Sequence, residues 1–371
     1  MRITELPTPQ VLVDSTRLVA NLDRMQRDAA AQRISLRPHA KTHKSPAIAR
    51  MQIDRGAVGI CCAKVGEAEV FASEGIHDLR LPYPVHPSNA SRVLRLMESA
   101  HISIIVDHEA VARAWAQAMQ RAGRVLDVLI KVDVGFHRCG IDPSAPDAAE
   151  FVRRVSALEG LRLRGLLSHA GHAYLAESEE ELQRIAADEA RTLASLARDS
   201  GVAIDELSVG ATPTARFSAR EHQLTEIRPG NYVYFDRTQV GLGAARYEDC
   251  ALTVLARVVS RPSKDRVILD CGSKTLSSDG ARGFHPTPGY GVVLKAVEST
   301  EPDTGLLIER LSEEHATVKV VEGSSGLEPG NLVRVLPNHS CVVSNLVDCI
   351  RMVDGSAVVD TLPVAARGKI N

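Results

Sequence analysis

The stretch Ile34-Ser-Leu-Arg-Pro-His-Ala-Lys-Thr-His-Lys44 turns abruptly from apolar to basic and holds the first side chains able to do covalent chemistry. Lys41 follows a brief β-type run that itself follows an amphipathic segment ending near Arg33. A β/α barrel places its reactive groups at such carboxyl ends of strands. A lysine there can attack a carbonyl and form a Schiff base. The same cluster of Arg37, His39, Lys41, His43 and Lys44 also reads as a solvated basic loop or a phosphate-attracting patch, so the rest of the chain must decide.

Four more strand-like runs end in residues with chemical potential. They are followed by Asp133-Val-Gly-Phe-His-Arg-Cys-Gly140, Ser168-His-Ala-Gly-His-Ala-Tyr174, Gly210-Ala-Thr-Pro-Thr214 and Arg228-Pro-Gly-Asn231. In the last two, the small residues Gly210, Ala211, Thr212, Gly230 and Asn231 let backbone N–H groups approach phosphate oxygens without obstruction. Either motif alone is equally a tight βα turn. Two on adjacent strands, where barrels bind phosphate, favour the anion. A phosphate opposite a lysine, with an arginine and histidines between, describes pyridoxal phosphate held as an imine.

The elements that would position these groups alternate along the chain. Amphipathic stretches and β-branched runs follow one another as Ser15–Arg33 with 34–37, then 44–55 with 57–62, 65–74 with 79–83, 89–100 with 102–107, 109–122 with 126–133, and 147–158 with 161–168. A long helical stretch over 178–198 leads to strand-like 206–209, and 226–228 with 232–235 is taken as one interrupted strand. Eight strands in about 220 residues close a (β/α)8 barrel of the TIM type, set at 15–245.

Beyond Cys250 the texture changes. Runs at 252–259, 266–270, 291–297, 317–322, 332–336 and 358–362, separated by Gly, Pro, Ser and Asp clusters, indicate a C-terminal all-β domain. The opening strand-like segment, within residues 1–14, is expected to join it.

Charge and composition narrow the function. Forty-four Lys+Arg against 46 Asp+Glu leave a formal charge of −2, which gives no field for nucleic acid and points to a small-molecule partner. No run reaches the ~18 apolar residues of a membrane span and the amino terminus lacks a signal-peptide core, so a cytoplasmic protein is expected. Seven cysteines without C-x-x-C spacing argue against a disulfide framework or a zinc knuckle.

In combination, Thr8-Pro-Gln-Val-Leu-Val-Asp14, Arg37-Pro-His-Ala-Lys-Thr-His-Lys44, Gly59-Ile-Cys-Cys-Ala-Lys-Val65, Val132-Asp-Val-Gly-Phe-His-Arg-Cys-Gly140 and Pro337-Asn-His-Ser-Cys341 resemble the D-threonine aldolase and D-serine dehydratase family. These are fold-type III pyridoxal phosphate enzymes with an alanine-racemase-like barrel and a β domain. The resemblance runs over essentially the whole chain. It implies that Lys41 carries the cofactor, that Arg138 stands near its phenolic oxygen and that His169 packs beside its ring, with Tyr174 a neighbour.

By the same resemblance, Gly210, Ala211, Thr212, Gly230 and Asn231 hold the phosphate and Arg228 faces the pyridine nitrogen. There a fixed guanidinium charge keeps that nitrogen unprotonated. A barrel-rim ion pair is the alternative role for Arg228. The resemblance further makes His339 and Cys341 a metal dyad, expected on one face of a strand, and implies a homodimer.

The implied substrate is a D-amino acid with a β-hydroxyl, whose oxygen a Mn, Mg or Zn ion polarises. If His339 takes the hydroxyl proton, Cα–Cβ cleaves to glycine and an aldehyde. If Lys41 takes the α-proton, water is eliminated. Cys341, a soft ligand suited to zinc, leans toward dehydration of D-serine or 3-hydroxyaspartate. The motifs around Cys62 and Arg138 lie closer to the aldolases, and the balance falls on cleavage of D-threonine. A non-catalytic cofactor carrier would leave residues 250–371 without work. A metallohydrolase built on His169 and His172 would need an H-x-H near the first strand, which is missing.

Overall fold

Parallel strands β2 (Ser35–Leu36), β3 (Ile60–Cys61), β4 (Asp78–Pro84), β5 (His101–Val106), β6 (Leu126–Lys131), β7 (Leu161–Leu167), β8 (Glu206–Val209) and β9 (Glu226–Ile227) form one sheet in the order β2-β9-β8-β7-β6-β5-β4-β3. The free edges meet beyond β2, where a bridge pairs His39 with Cys61 and the Cys61 N–H donates to Pro38 O at 2.8 Å. The sheet is therefore a closed barrel. The structure is a computed structural model describing residues 1–285, 287–322 and 326–371.

Helices wrap this barrel for reasons visible in their residues. Over Glu109–Arg121, Ala112, Trp115, Ala116 and Met119 recur at helical spacing and are buried, and Trp115 Nε1 donates to Val85 O at 2.8 Å. Asp14 caps Ser15–Ala31 by accepting the Arg17 N–H at 2.9 Å. Ser178 caps Glu179–Ser200, which stops at Gly201 with φ +65°, a conformation that costs glycine little.

The second sheet contains β1 (Gln10–Asp14) and, after the barrel, β10 (Leu252–Ser263), β11 (Arg266–Leu269), β12 (Val292–Val293), β13 (Leu306–Leu311), β14 (Ala316–Val320), β15 (Leu332–Leu336), β16 (Cys349–Asp354) and β17 (Ala357–Pro363). Its main path is β13-β14-β11-β10-β1-β16-β17, with β15 pairing β10 and β12. As expected, the opening strand joins it, antiparallel to β10 and parallel to β16.

Three sequence expectations fail locally. Residues 232–235 are not strand. The chain turns at Gly230 into a 3-10 helix, Asn231–Val233, because the buried Asn231 amide bonds Asp236 at 2.6 Å, and Phe235 takes φ +50°. Two strands, β13 and β16, were missed, and the run at 291–297 shrinks to Val292–Val293. Finally, His339 and Cys341 do not lie on a strand. After Pro337 the Asp236 carboxylate accepts the Ser340 N–H at 2.9 Å, and the chain enters a helix, Ser340–Asn345, with His339 at its N-cap.

Candidate active site

Period-two alternation layers the barrel interior. Glu206 and Glu226 begin β8 and β9, Ser208 and Arg228 stand two residues on, and Gly210 and Gly230 reach the mouth. The lowest layer is charged. Arg80, 1 % exposed, bonds Glu226 at 2.5 Å and Glu206 at 2.7 Å, and Arg37 bonds Glu226 at 2.7 Å and also Asp78.

Above that layer lies a cavity of about 700 Å³. Its wall includes His39, Lys41, Arg138, His169, Tyr174, Ala211, Thr212, Arg228, Gly230 and Asn231 from the barrel and its loops, and His339 and Cys341 from the other side. Of the residues the resemblance assigned to cofactor and metal, Gly210 alone is not in this wall. It lies directly behind, its carbonyl taking the His169 Nδ1–H.

Lys41 sits in a 3-10 turn, Ala40–Thr42, whose N-cap is His39; the His39 Nδ1 accepts the Lys41 N–H at 3.3 Å. Burial lowers the lysine's pKa, and Arg138 and Arg228 add to that, while Cys341 and Glu67 oppose it. The neighbouring Lys44 is committed elsewhere, 3.0 Å from buried Glu67. Burial likewise holds His39 and His169 far toward the neutral form, reinforced by the Lys41 charge. Arg138 is exposed, its guanidinium 5.2 Å from the Phe136 ring centroid.

Arg228 is buried and donates from Nε to Ser208 Oγ at 2.7 Å and from its terminal nitrogen to Ser168 O. Among the described residues it forms no ion pair, so the rim-pair alternative does not describe it. It is part of the cavity wall.

The donor groups suit a phosphate. Thr212 Oγ1 is buried without a hydrogen-bond partner and can donate; the Asn231 amide nitrogen is taken by Asp236, so that residue would offer its backbone N–H. Gly230 is constrained for a different reason from the one its sequence suggests: a Cβ there would stand 3.0 Å from His39 O, so its smallness lets β9 lie close to the lysine turn.

His339 and Cys341 form a second constellation across the cavity. Burial works against a charged His339, yet the Cys341 thiolate, Asp236 and Asp279 outweigh it and raise the imidazole to about 10. Burial would raise Cys341, but His339 and Lys41 together lower it. An imidazole beside a thiolate-prone sulfur is a zinc-type donor pair. Among the described residues no three His, Cys, Asp or Glu side chains converge as a self-sufficient metal cage, so two protein donors would leave positions for water and substrate.

The sequence did not single out Thr42, Asp236, Thr238, Gln239, Asp279 or Arg282. Asp236 is fully buried and accepts from Asn231, Ser340 and the Gln239 N–H, tying the turn at Gly230–Asn231 to the helix that carries Cys341. Its signal was present: polar residues 236–239 follow the phosphate turn directly, but the misread strand at 232–235 hid them. Asp279 and Arg282 come from a loop of the second sheet, and nothing local to that loop announces the barrel.

A lysine at the mouth of a parallel barrel, with the small-residue turns at Gly210–Thr212 and Gly230–Asn231 across the cavity and a β domain on its other side, is the arrangement of an alanine-racemase-type pyridoxal phosphate enzyme. Residues 13–238 match the alanine racemase N-terminal domain and residues 251–353 the serine dehydratase domain. The chain belongs to the family that joins these two domains, which includes D-threonine aldolases and the D-serine and 3-hydroxyaspartate dehydratases.

It is 35% identical to a D-threonine aldolase of Arthrobacter sp. over 99% of its own length and 94% of that protein's. With the D-threo-3-hydroxyaspartate dehydratase of Delftia sp. HT23 it shares 33% identity over 91% of each chain, and that enzyme's solved structure superposes at a TM-score of 0.90 over 98% of both. The latter protein has also been solved with a histidine replaced by alanine and, in a metal-free form, with the cysteine two positions further on replaced. A D-threonine aldolase from Filomicrobium marinum is 29% identical and superposes at 0.89, covering 100% of this chain and 98% of that one.

Proposed function

We propose that this lyase acts on D-amino acids bearing a β-hydroxyl and that it eliminates water from them, giving a 2-oxo acid and ammonia. Pyridoxal phosphate would supply the electron sink at Cα, and a divalent ion at His339 and Cys341 a Lewis acid for the β-oxygen. Lys41, Thr212, Asn231 and Arg228 are the residues we assign to the cofactor, with Arg138, His169 and Tyr174 around it. Neutral His169, its Nδ1–H fixed on Gly210 O, offers a ring face without a charge.

The observation that carries the choice of reaction is the commitment of His339. Its Nδ1 is 2.6 Å from Asp279 Oδ2, and its ring is also within hydrogen-bonding reach of Cys341. Cleavage by the route considered from sequence needs this imidazole free to take the β-hydroxyl proton. Elimination needs a base only at Cα, a role we assign to Lys41, whose neutral form burial favours. The lone pair of Lys41 Nζ would take the Cα proton as the C–O bond opens, and the departing hydroxide would leave as water with that proton. The enamine released would tautomerise and be hydrolysed by one water to the 2-oxo acid and ammonia.

Retro-aldol cleavage is the second reading, favoured by the 35% identity to the Arthrobacter aldolase. The test is product analysis of purified holoenzyme with D-serine, D-threonine and D-threo-3-hydroxyaspartate. A 2-oxo acid and ammonia without glycine supports elimination, glycine plus an aldehyde selects cleavage, and neither removes both.

A further inference from the structure

Asp279 reaches the cavity from a loop of the second sheet and ends 2.6 Å from His339 Nδ1. The loop is built to hold it there. Ser277 is left-handed at φ +65°, a cost of about 1–3 kcal/mol that survives only where surroundings impose it. The Ser277 hydroxyl accepts the Asp279 N–H at 3.0 Å. The Asp279 carbonyl accepts Asn338 Nδ2 at 2.9 Å, and the same amide nitrogen donates to Gly289 O at 2.9 Å. Asn338 is 1 % exposed and immediately precedes His339, so the histidine's backbone and its carboxylate partner hang from one buried amide.

The other nearby carboxylate is not available for this task, since Asp236 already accepts from Asn231, Ser340 and Gln239. We infer that Asp279 is a positioning residue that fixes the ring of His339, holding Nδ1 as a donor so that Nε2 presents its lone pair to a divalent cation shared with Cys341. A carboxylate behind a ligating histidine orients the ring and raises the basicity of the coordinating nitrogen, and its loss commonly weakens metal affinity 10- to 100-fold. The inference rests on the metal reading of His339 and Cys341 given above.

The test uses the full-length protein, stripped with a chelator and titrated with Co²⁺, whose thiolate-to-metal charge-transfer band reports ligation by Cys341 and whose visible d–d bands report the whole donor set. Asp279→Ala is expected to bind Co²⁺ roughly 10- to 100-fold more weakly, to regain the parent's bands at saturation, and to keep pyridoxal phosphate. Asp279→Glu should recover most of the affinity. Parent-like affinity in Asp279→Ala overturns the positioning role. Altered d–d bands at saturation also overturn it, because the carboxylate would then be a ligand. His339→Ala is the control for the underlying reading: if it binds Co²⁺ like the parent, the dyad itself is wrong, independently of Asp279.

Discussion

Thr42 Oγ1 lies 3.1 Å from Cys341 Sγ, joining two residues 299 positions apart. Thr42 adjoins Lys41, and its carbonyl accepts the Ser344 hydroxyl from the helix that carries Cys341. The lysine turn of the barrel and the helix that carries Cys341 are thus clamped together, so a reaction that uses both would have its two ends held in register.

This proximity makes Lys41 testable against its neighbours. Lys41→Ala should lose the visible absorption of bound cofactor together with turnover. Lys44 cannot substitute, being held on Glu67, and Lys64 lies over the Tyr83 ring, 5.0 Å from its centroid. Retention of the band in Lys41→Ala and its loss in Lys44→Ala would place the covalent bond on the wrong lysine.

Thr212 offers a cleaner probe of the phosphate than either glycine. Its hydroxyl is buried and unpartnered, so Thr212→Val preserves shape while deleting a donor to an anion. A hydrogen bond to a charged group is worth about 1.5–3 kcal/mol, so pyridoxal phosphate should bind roughly 10- to 100-fold more weakly, with little change in melting temperature. Equilibrium dialysis checks this; unchanged affinity would move the phosphate elsewhere. Gly230→Val, by contrast, should destabilise the fold as well, because the new side chain meets His39 O.

Chelation should abolish turnover and leave cofactor absorption intact, separating binding from reaction. Cys341→Asp exchanges a soft ligand for a hard one and should shift metal preference from zinc toward manganese or magnesium. If the donor set also steers the reaction, glycine should rise relative to 2-oxo acid. Full turnover in metal-free protein would eliminate any role for the dyad.

At the far end of the barrel, His101 Nε2 is 2.8 Å from Asp127 and Nδ1 is 3.5 Å from Asp78. Hydrogen bonds to Asp127 and Asp78 outweigh burial and raise its pKa to about 9. The unfolded value is about 6.5, so the folded state binds the proton more tightly. The stabilisation is complete below pH ~6.5 and lost as pH rises through about 9. His101→Gln should therefore lower the denaturation midpoint at pH 6 and match the parent near pH 10. An equal deficit at both pH values would make the effect one of packing.

The barrel was legible because its strands and helices obey local periodicity: β8 occupies 206–209 as read, and most other barrel strands shift by only a few residues. The lysine, the phosphate turns and the dyad could be named because they occur in short motifs. Asp279 and Thr42 could not. Their roles arise from two sheets meeting across the cavity, and a hydrogen bond spanning 60 or 299 residues leaves no spacing to recognise. The helix at Ser340 escaped for a similar reason: the carboxylate that turns the chain there is Asp236, 104 residues upstream.

The charged floor has a consequence for traffic. Arg80 and Glu226 are nearly inaccessible and bonded to each other, so among the described residues charged side chains plug the barrel floor. Traffic is then expected on the side of the cavity that the second sheet lines with Arg282 and Asp279. Release then becomes a queue. Whatever leaves the cavity competes with whatever enters it, so inhibition by product is the expected consequence of the architecture.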